Sequence, residues 1–159
     1  MRGPCSQSVT RLRFLLVATV VVLGATAKPQ VKDGTNPIGP WRTVDDVTGR
    51  VSSVVVLWEA GGKLNGSIEK LIDPDPRDPD PRCVRCDGDL KDRRLVGLRI
   101  LWGLMKNGDQ WSGGRILDPG TGKIYNCSIT LKDGGKTLRV HGFLGVSWFG
   151  RTQYWMRDE

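Results

Sequence analysis

The side chains best suited to redox, metal or nucleophilic chemistry are few: Cys83 and Cys86 in a C-x-x-C, Cys127, and the single histidine, His141. Cys83-Val-Arg-Cys86 admits a redox dithiol, half a zinc site or a local disulfide. Zinc takes four ligands. Cys127 and His141 complete that number on paper, but strand alternation assigns them to opposite faces of adjacent strands. A thioredoxin-type dithiol sits at a helix N-terminus, where the dipole lowers the thiol pKa. Here Asp87-Gly-Asp89 follows instead, a turn carrying negative charge. The pair is therefore read as a structural disulfide, with thiol–disulfide exchange as the remaining alternative. No metal and no cofactor are expected, and Cys127 is expected to act as a small buried hydrophobe.

Directly before the pair, Asp73-Pro-Asp-Pro-Arg-Asp-Pro-Asp-Pro-Arg82 is a perfect five-residue repeat. Its four carboxylates raise the question of calcium, which needs six to eight converging oxygens. Proline removes backbone donors and holds its neighbours extended, at roughly 3 Å per residue, so the carboxylates are spread out. The repeat reads as a stiff solvated loop. The basic residues beyond it (Arg85, Lys91, Arg93 and Arg94) make it a candidate docking surface for an envelope protein.

Catalytic signatures are missing from the chain. There is no G-x-S-x-G elbow, no H-E-x-x-H and no P-loop. Gly113-Gly114 and Gly120-x-Gly122 flank a hairpin, with no helix N-terminus to hold phosphate. The protein is expected not to be an enzyme.

The elements that must position these residues are short β-type runs parted by turns. They are Gly39–Val44, Val51–Trp58, Leu64–Ile72, Leu95–Trp102, Trp111–Leu117, Ile124–Leu131, Leu138–Leu144 and Arg151–Arg157. Gly61-Gly62, Asn107-Gly108 and Asp133-Gly-Gly135 are hairpin signals. Short links forbid parallel crossovers, so the sheet is antiparallel. With no helix to cover a face, eight such strands hide their apolar side best by closing. The expectation is an all-β, eight-stranded antiparallel up-and-down barrel, with a two-sheet sandwich as its rival. Alternation assigns Val96, Leu98, Ile100 and Trp102 to the inside. Tyr125, Cys127, Ile129 and Leu131 join them, as do Leu138, Val140 and Leu144. The second, fifth and eighth runs are ambiguous.

At the start of the chain, Arg2, Arg11 and Arg13 precede the apolar run Phe14–Leu23 and then Ala25-Thr-Ala27. This is the layout of a cleaved export signal, and the run is too short for a bilayer core of roughly 30 Å. The expected organisation is a signal peptide at 1–27 and a short flexible segment at 28–35. One barrel domain follows at 36–158, with its Pro/Asp-rich loop at 73–89. The mature chain then has no transmembrane segment and works in the periplasm or outside the cell. It keeps about 132 of 159 residues, with twenty-one basic against seventeen acidic, a surplus of +4. That mild, interspersed charge argues against nucleic acid as a partner.

Seven landmarks in order resemble a bacterial exported family, domain-of-unknown-function family 2147. They are Gly39-Pro-Trp41, Leu64-Asn-Gly66, Cys83-Val-Arg-Cys86-Asp-Gly88, Gly113-Gly-Arg-Ile-Leu-Asp-Pro119, Gly122-Lys-Ile-Tyr125, Leu138-Arg-Val-His-Gly-Phe-Leu-Gly145 and Gly150-Arg-Thr-Gln-Tyr-Trp-Met-Arg157. The resemblance implies a small calycin-type barrel related in shape to lipocalins, and it implies no reaction. His141 stands where the family is expected more often to place Arg. By the same resemblance, Trp41 sits at the closed end of the barrel under Arg157, a structural pairing. Read from the residues, Trp58, Trp102 and Tyr125 are the candidates to line the lumen, against the alternative that the bulky inward side chains fill the barrel as core. The function expected is non-enzymatic: a lumen or mouth holding a small apolar or amphipathic molecule.

Overall fold

The computed structural model describes residues 35–45, 48–148 and 150–158. Residues 1–27, read as an export signal, and most of the 28–35 segment lie outside the described residues. Eight strands run in chain order: β1 (Gly39–Val44), β2 (Val51–Ala60), β3 (Lys63–Leu71), β4 (Arg99–Asn107), β5 (Gln110–Asp118), β6 (Lys123–Lys132), β7 (Thr137–Phe143) and β8 (Gly150–Arg157). Every neighbour pairs antiparallel, and β1 pairs with β8, so the sheet is a closed barrel without a free edge. Among the described residues, no helix is long and apolar enough to cross a membrane.

Alternation along each strand sends one set of side chains inward. On β1 these are Trp41 and Thr43, facing Val55 and Ser53 of β2 across the ladder. On β6 and β7, Cys127 pairs with Gly142, Ile129 with Val140, and Leu131 with Leu138.

The fourth strand departs from the expectation. It begins at Arg99 rather than Leu95 and runs on to Asn107. Leu95–Leu98 instead belongs to the long β3–β4 connection, where Gly97 turns back at φ 86° and its N–H donates to the Ile68 carbonyl. The β3–β4 register then shifts between Gly66 and Ser67, so that Ile100 and Leu101 are both buried. Such a slip reverses the face of everything beyond it. Of the four residues assigned inward there, Leu98 and Ile100 are buried, Val96 is exposed and Trp102 is half-buried. Leu144, also expected inside, lies past the end of β7 and is exposed.

Candidate functional site

The barrel differs at its two ends. At the end bearing the β2–β3, β4–β5 and β6–β7 hairpins, Trp41 is fully buried and its indole N–H donates to the Pro37 carbonyl at 2.8 Å. The Arg157 guanidinium carbon lies 4.3 Å from the centre of that ring. Arg157 also donates to three carbonyls: from Nε to Gly135 at 2.8 Å, from Nη1 to Ile38 at 3.1 Å and from Nη2 to Asn36 at 2.8 Å. Burial lowers its pKa, yet an arginine stays charged at neutral pH. The chain entering β1 and the β7-side turn are thus gathered onto one cation, which seals this end. Trp111, Leu104 and Leu138 are buried behind it.

The opposite end is open. A cavity of about 420 Å³ lies among the ends of the strands there. Ile68, Ile100, Ile116, Val140 and Trp155 give it apolar walls and floor. One side is polar: Thr43 Oγ1 lies 2.7 Å from Ser53 Oγ and 3.1 Å from Ser52 Oγ, a cluster of three hydroxyls. A hydroxyl has one proton and two lone pairs, so the cluster keeps hydrogen-bonding capacity for a guest. Gln153, also lining the space, accepts from the Trp155 indole at 3.1 Å. At the rim, Asp118 faces Arg151 at 4.0 Å. Asp118 also accepts from Gly120 N–H and Thr121 Oγ1, which ties it to its own turn.

The C-x-x-C packs against Pro119 and Gly120, two residues that line this mouth. Cys83 and Cys86 are disulfide-bonded and wholly buried. Their loop is docked on the β5–β6 turn, where Arg85 Nη1 donates to the Gly120 carbonyl at 2.9 Å. Gly122 (φ 74°) lies directly beneath, and a Cβ there would fall on the Arg85 carbonyl. Upstream, two of the repeat's four carboxylates are engaged by arginines of the repeat or beyond it. Asp75 accepts from Arg77 at 2.7 Å, which holds its carboxyl below the usual range, and Asp80 accepts from Arg94 at 2.8 Å. Among the described residues, no group of three or more His, Cys, Asp or Glu is placed to hold a metal ion.

Of the aromatic residues proposed for the lumen, Tyr125 lines the cavity, whereas Trp58 and Trp102 do not. Leu57 takes the inward position opposite Gly66 and leaves Trp58 on the outer face, with the Arg99 guanidinium 5.6 Å from its ring. Trp102 pairs with exposed Arg115, on the face opposite cavity-lining Ile116. Cys127 is buried, and desolvation pushes its thiol up to about 12. His141 is elsewhere, bonded to Thr152 Oγ1 and the Ser147 carbonyl, each at 2.8 Å. The hydroxyl cluster, Gln153 and Trp155 were missed. Their signal was the period-two series in β2 and β8, whose face was undecided without the register.

Comparison with known proteins agrees with this architecture. A family model described as "Uncharacterized protein conserved in bacteria (DUF2147)" matches residues 39–157, and the chain belongs to that family. No curated protein matches significantly. Among solved structures, the chain is similar to protein HP1028 from the human pathogen Helicobacter pylori, described as belonging to the lipocalin family. The TM-score is 0.67 at 19% identity, over 79% of this chain and 84% of that one. At that identity the likeness shows the fold, an eight-stranded lipocalin-like barrel.

Proposed function

We propose that this member of the family is a non-enzymatic binding protein that takes a small amphipathic molecule into the open end of its barrel. The observation that carries the reading is the cavity itself. Its volume of about 420 Å³ falls within the ~300–1,000 Å³ of small-molecule sites, which are mostly apolar with a few placed polar groups. At roughly 30 Å³ per water-sized group, it has room for a body of about a dozen heavy atoms. Isoleucines, valine and tryptophan would bury that body, while the Thr43–Ser52–Ser53 hydroxyls would receive a hydrogen-bonding head. We place this work outside the cytosol, on the export-signal pattern read in residues 1–27. Against thiol exchange as the function stands the burial of both sulfurs, since exchange needs a thiolate to reach a disulfide sulfur.

The test uses a variant that fills the space. Gly142 pairs with Cys127 on the inward face, and a Cβ there would meet Ile116 at 3.4 Å and Tyr125 at 3.5 Å, ordinary contact. Gly142→Leu is expected to project into the cavity without straining the strand. The parent protein should bind octanoic acid, an amphiphile of ten heavy atoms, saturably in isothermal titration calorimetry, in competition with other medium-chain amphiphiles. The variant should bind it about tenfold more weakly or worse, a loss of ~1.4 kcal/mol, with an unchanged circular dichroism spectrum. No saturable uptake by the parent, or equal uptake by a folded variant, refutes the reading.

A further inference from the structure

The charges around the cavity are unevenly shared. Among the described residues that line it, Asp45, Asp118 and Arg151 are charged, two carboxylates to one guanidinium. Arg151 stands on β8 at the register of Gly142 and faces Asp118, the last residue of β5, at 4.0 Å. The hydroxyl cluster stands instead on β1 and β2. The charged lining residue next to it in the chain is Asp45, two residues after Thr43. Asp45 Oδ1 accepts from the Thr48 N–H at 2.7 Å and from Thr48 Oγ1 at 2.9 Å, which fixes that carboxylate at the mouth. An anion withdrawn from water needs a cation of its own. Here it would meet a carboxylate beside the hydroxyls and an arginine that already faces another.

The hydrogen-bond inventory of the cluster points the same way by an independent route. Three hydroxyls bring three protons and six lone pairs. The Thr43–Ser53 and Thr43–Ser52 contacts, at 2.7 and 3.1 Å, each use one proton and one lone pair. Thr43 Oγ1 also lies 3.4 Å from the Ser53 carbonyl, which takes the third proton when Thr43 donates there. The cluster therefore offers a guest four lone pairs and at most one proton. A carboxylate only accepts hydrogen bonds, whereas an alcohol also donates one. Taking the cavity as a binding site, as proposed above, we infer that its amphiphile carries an uncharged head that donates a hydrogen bond, as an alcohol does. The Thr43–Ser52–Ser53 cluster and Asp45 select that head over a carboxylate on a chain of the same length. Specificity of this kind combines an attractive match with a repulsive element against the competitor. The apolar floor, by contrast, treats the two tails alike.

The experiment is isothermal titration calorimetry at neutral pH with three probes: 1-octanol, octanoate, and heptyl methyl ether. The ether is an isomer of octanol, equally uncharged but with no proton to donate, so it separates donation from mere absence of charge. Octanol is expected to bind about tenfold more tightly than either of the others. Thr43→Val is similar in shape and releases both serine protons, so it should narrow the preference for octanol over the ether to about threefold or less. Asp45→Asn leaves Oδ1 to accept from Thr48 and should raise the affinity for octanoate about threefold relative to octanol. Circular dichroism checks the fold of each variant, and if Thr43→Val does not fold, the ether comparison and Asp45→Asn decide the matter. Octanoate or the ether binding as tightly as octanol overturns the inference and leaves the cavity reading standing. Preferences unmoved in the folded variants overturn it as well. Saturable binding of none of the three probes removes both.

Discussion

Removing Arg157 should cost far more than removing any arginine on the barrel's outer wall, and the structure says by how much. The side chain is stacked on a fully buried indole and bonds to three backbone carbonyls from two separate parts of the chain. A cation over an indole contributes about 0.5–2 kcal/mol, and each intramolecular hydrogen bond about 0.5–1.5 kcal/mol net. Water reaches this half-buried site and recovers part of the loss, so Arg157→Ala should cost about 3 kcal/mol. With unfolding entropy of about 2.1 cal/mol/K per residue over roughly 125 residues, that lowers Tm by about ten degrees. Arg157→Lys keeps the charge but not the planar stack or the fork of donors, and should lose more than half as much. Arg42 supplies the control. It pairs with Asp158 at 2.6 Å but is half exposed, and such surface pairs contribute about 0–1 kcal/mol. The assay is urea unfolding of the three variants beside the parent. If Arg157→Ala and Arg42→Ala fall within about 0.5 kcal/mol of each other, the closed end is not held by this cation.

Two further outcomes follow from the cysteines. Replacing Cys83 and Cys86 together with Ala should lower stability by only about 2 kcal/mol, because a four-residue loop loses little closure entropy. A loss above about 4 kcal/mol in the same urea assay would mean that the loop holds the barrel together. Cys127 makes stability depend on alkaline pH. Its thiol is raised from 9.0 to about 12 in the folded protein, so between those values the folded state keeps a proton that the unfolded chain gives up. Stability is therefore full below about pH 9 and falls towards pH 12, at up to about 1.4 kcal/mol per pH unit for one group. Urea midpoints for the parent and Cys127→Ala should converge across that range, and parallel curves would refute the assignment.

Seven of the eight strands could be read in the sequence to within two residues, because each is bracketed by turn chemistry and carries a period-two pattern. The Gly61-Gly62 and Asn107-Gly108 hairpins both have their glycines at positive φ. The fourth strand misled because its strongest pattern, Leu95 to Trp102, straddles two structures. The first half is stitched to β3 by the Ile68–Leu98 and Gly97–Ile68 backbone bonds, and the second half follows a register shift. A bulge leaves no compositional mark beyond an ordinary glycine. Alternation therefore sends Trp102 inward by a parity that the backbone does not keep.

Whether the barrel is hollow was written in the same residues but needed strand direction to be read. Followed from closed end to open end, the inward series shrinks on three strands. On β1 it goes from Trp41 to Thr43, on β2 from Leu57 through Val55 to Ser53, and on β7 from Leu138 through Val140 to Gly142. Close packing requires side-chain volume to fill the interior at crystal-like density. A closed sheet whose inward residues dwindle towards one end must leave space there, unless a bulky residue intrudes. Tyr125 is the large side chain of β6 at that level, and it lines the space without closing it. The direction of tapering also decides the polarity: the small residues at the mouth include Thr43 and Ser53, so the space is greasy at its floor and hydrogen-bonding near its rim. A molecule with one apolar and one polar end matches that gradient in a single orientation, tail towards Trp155 and head towards the hydroxyls.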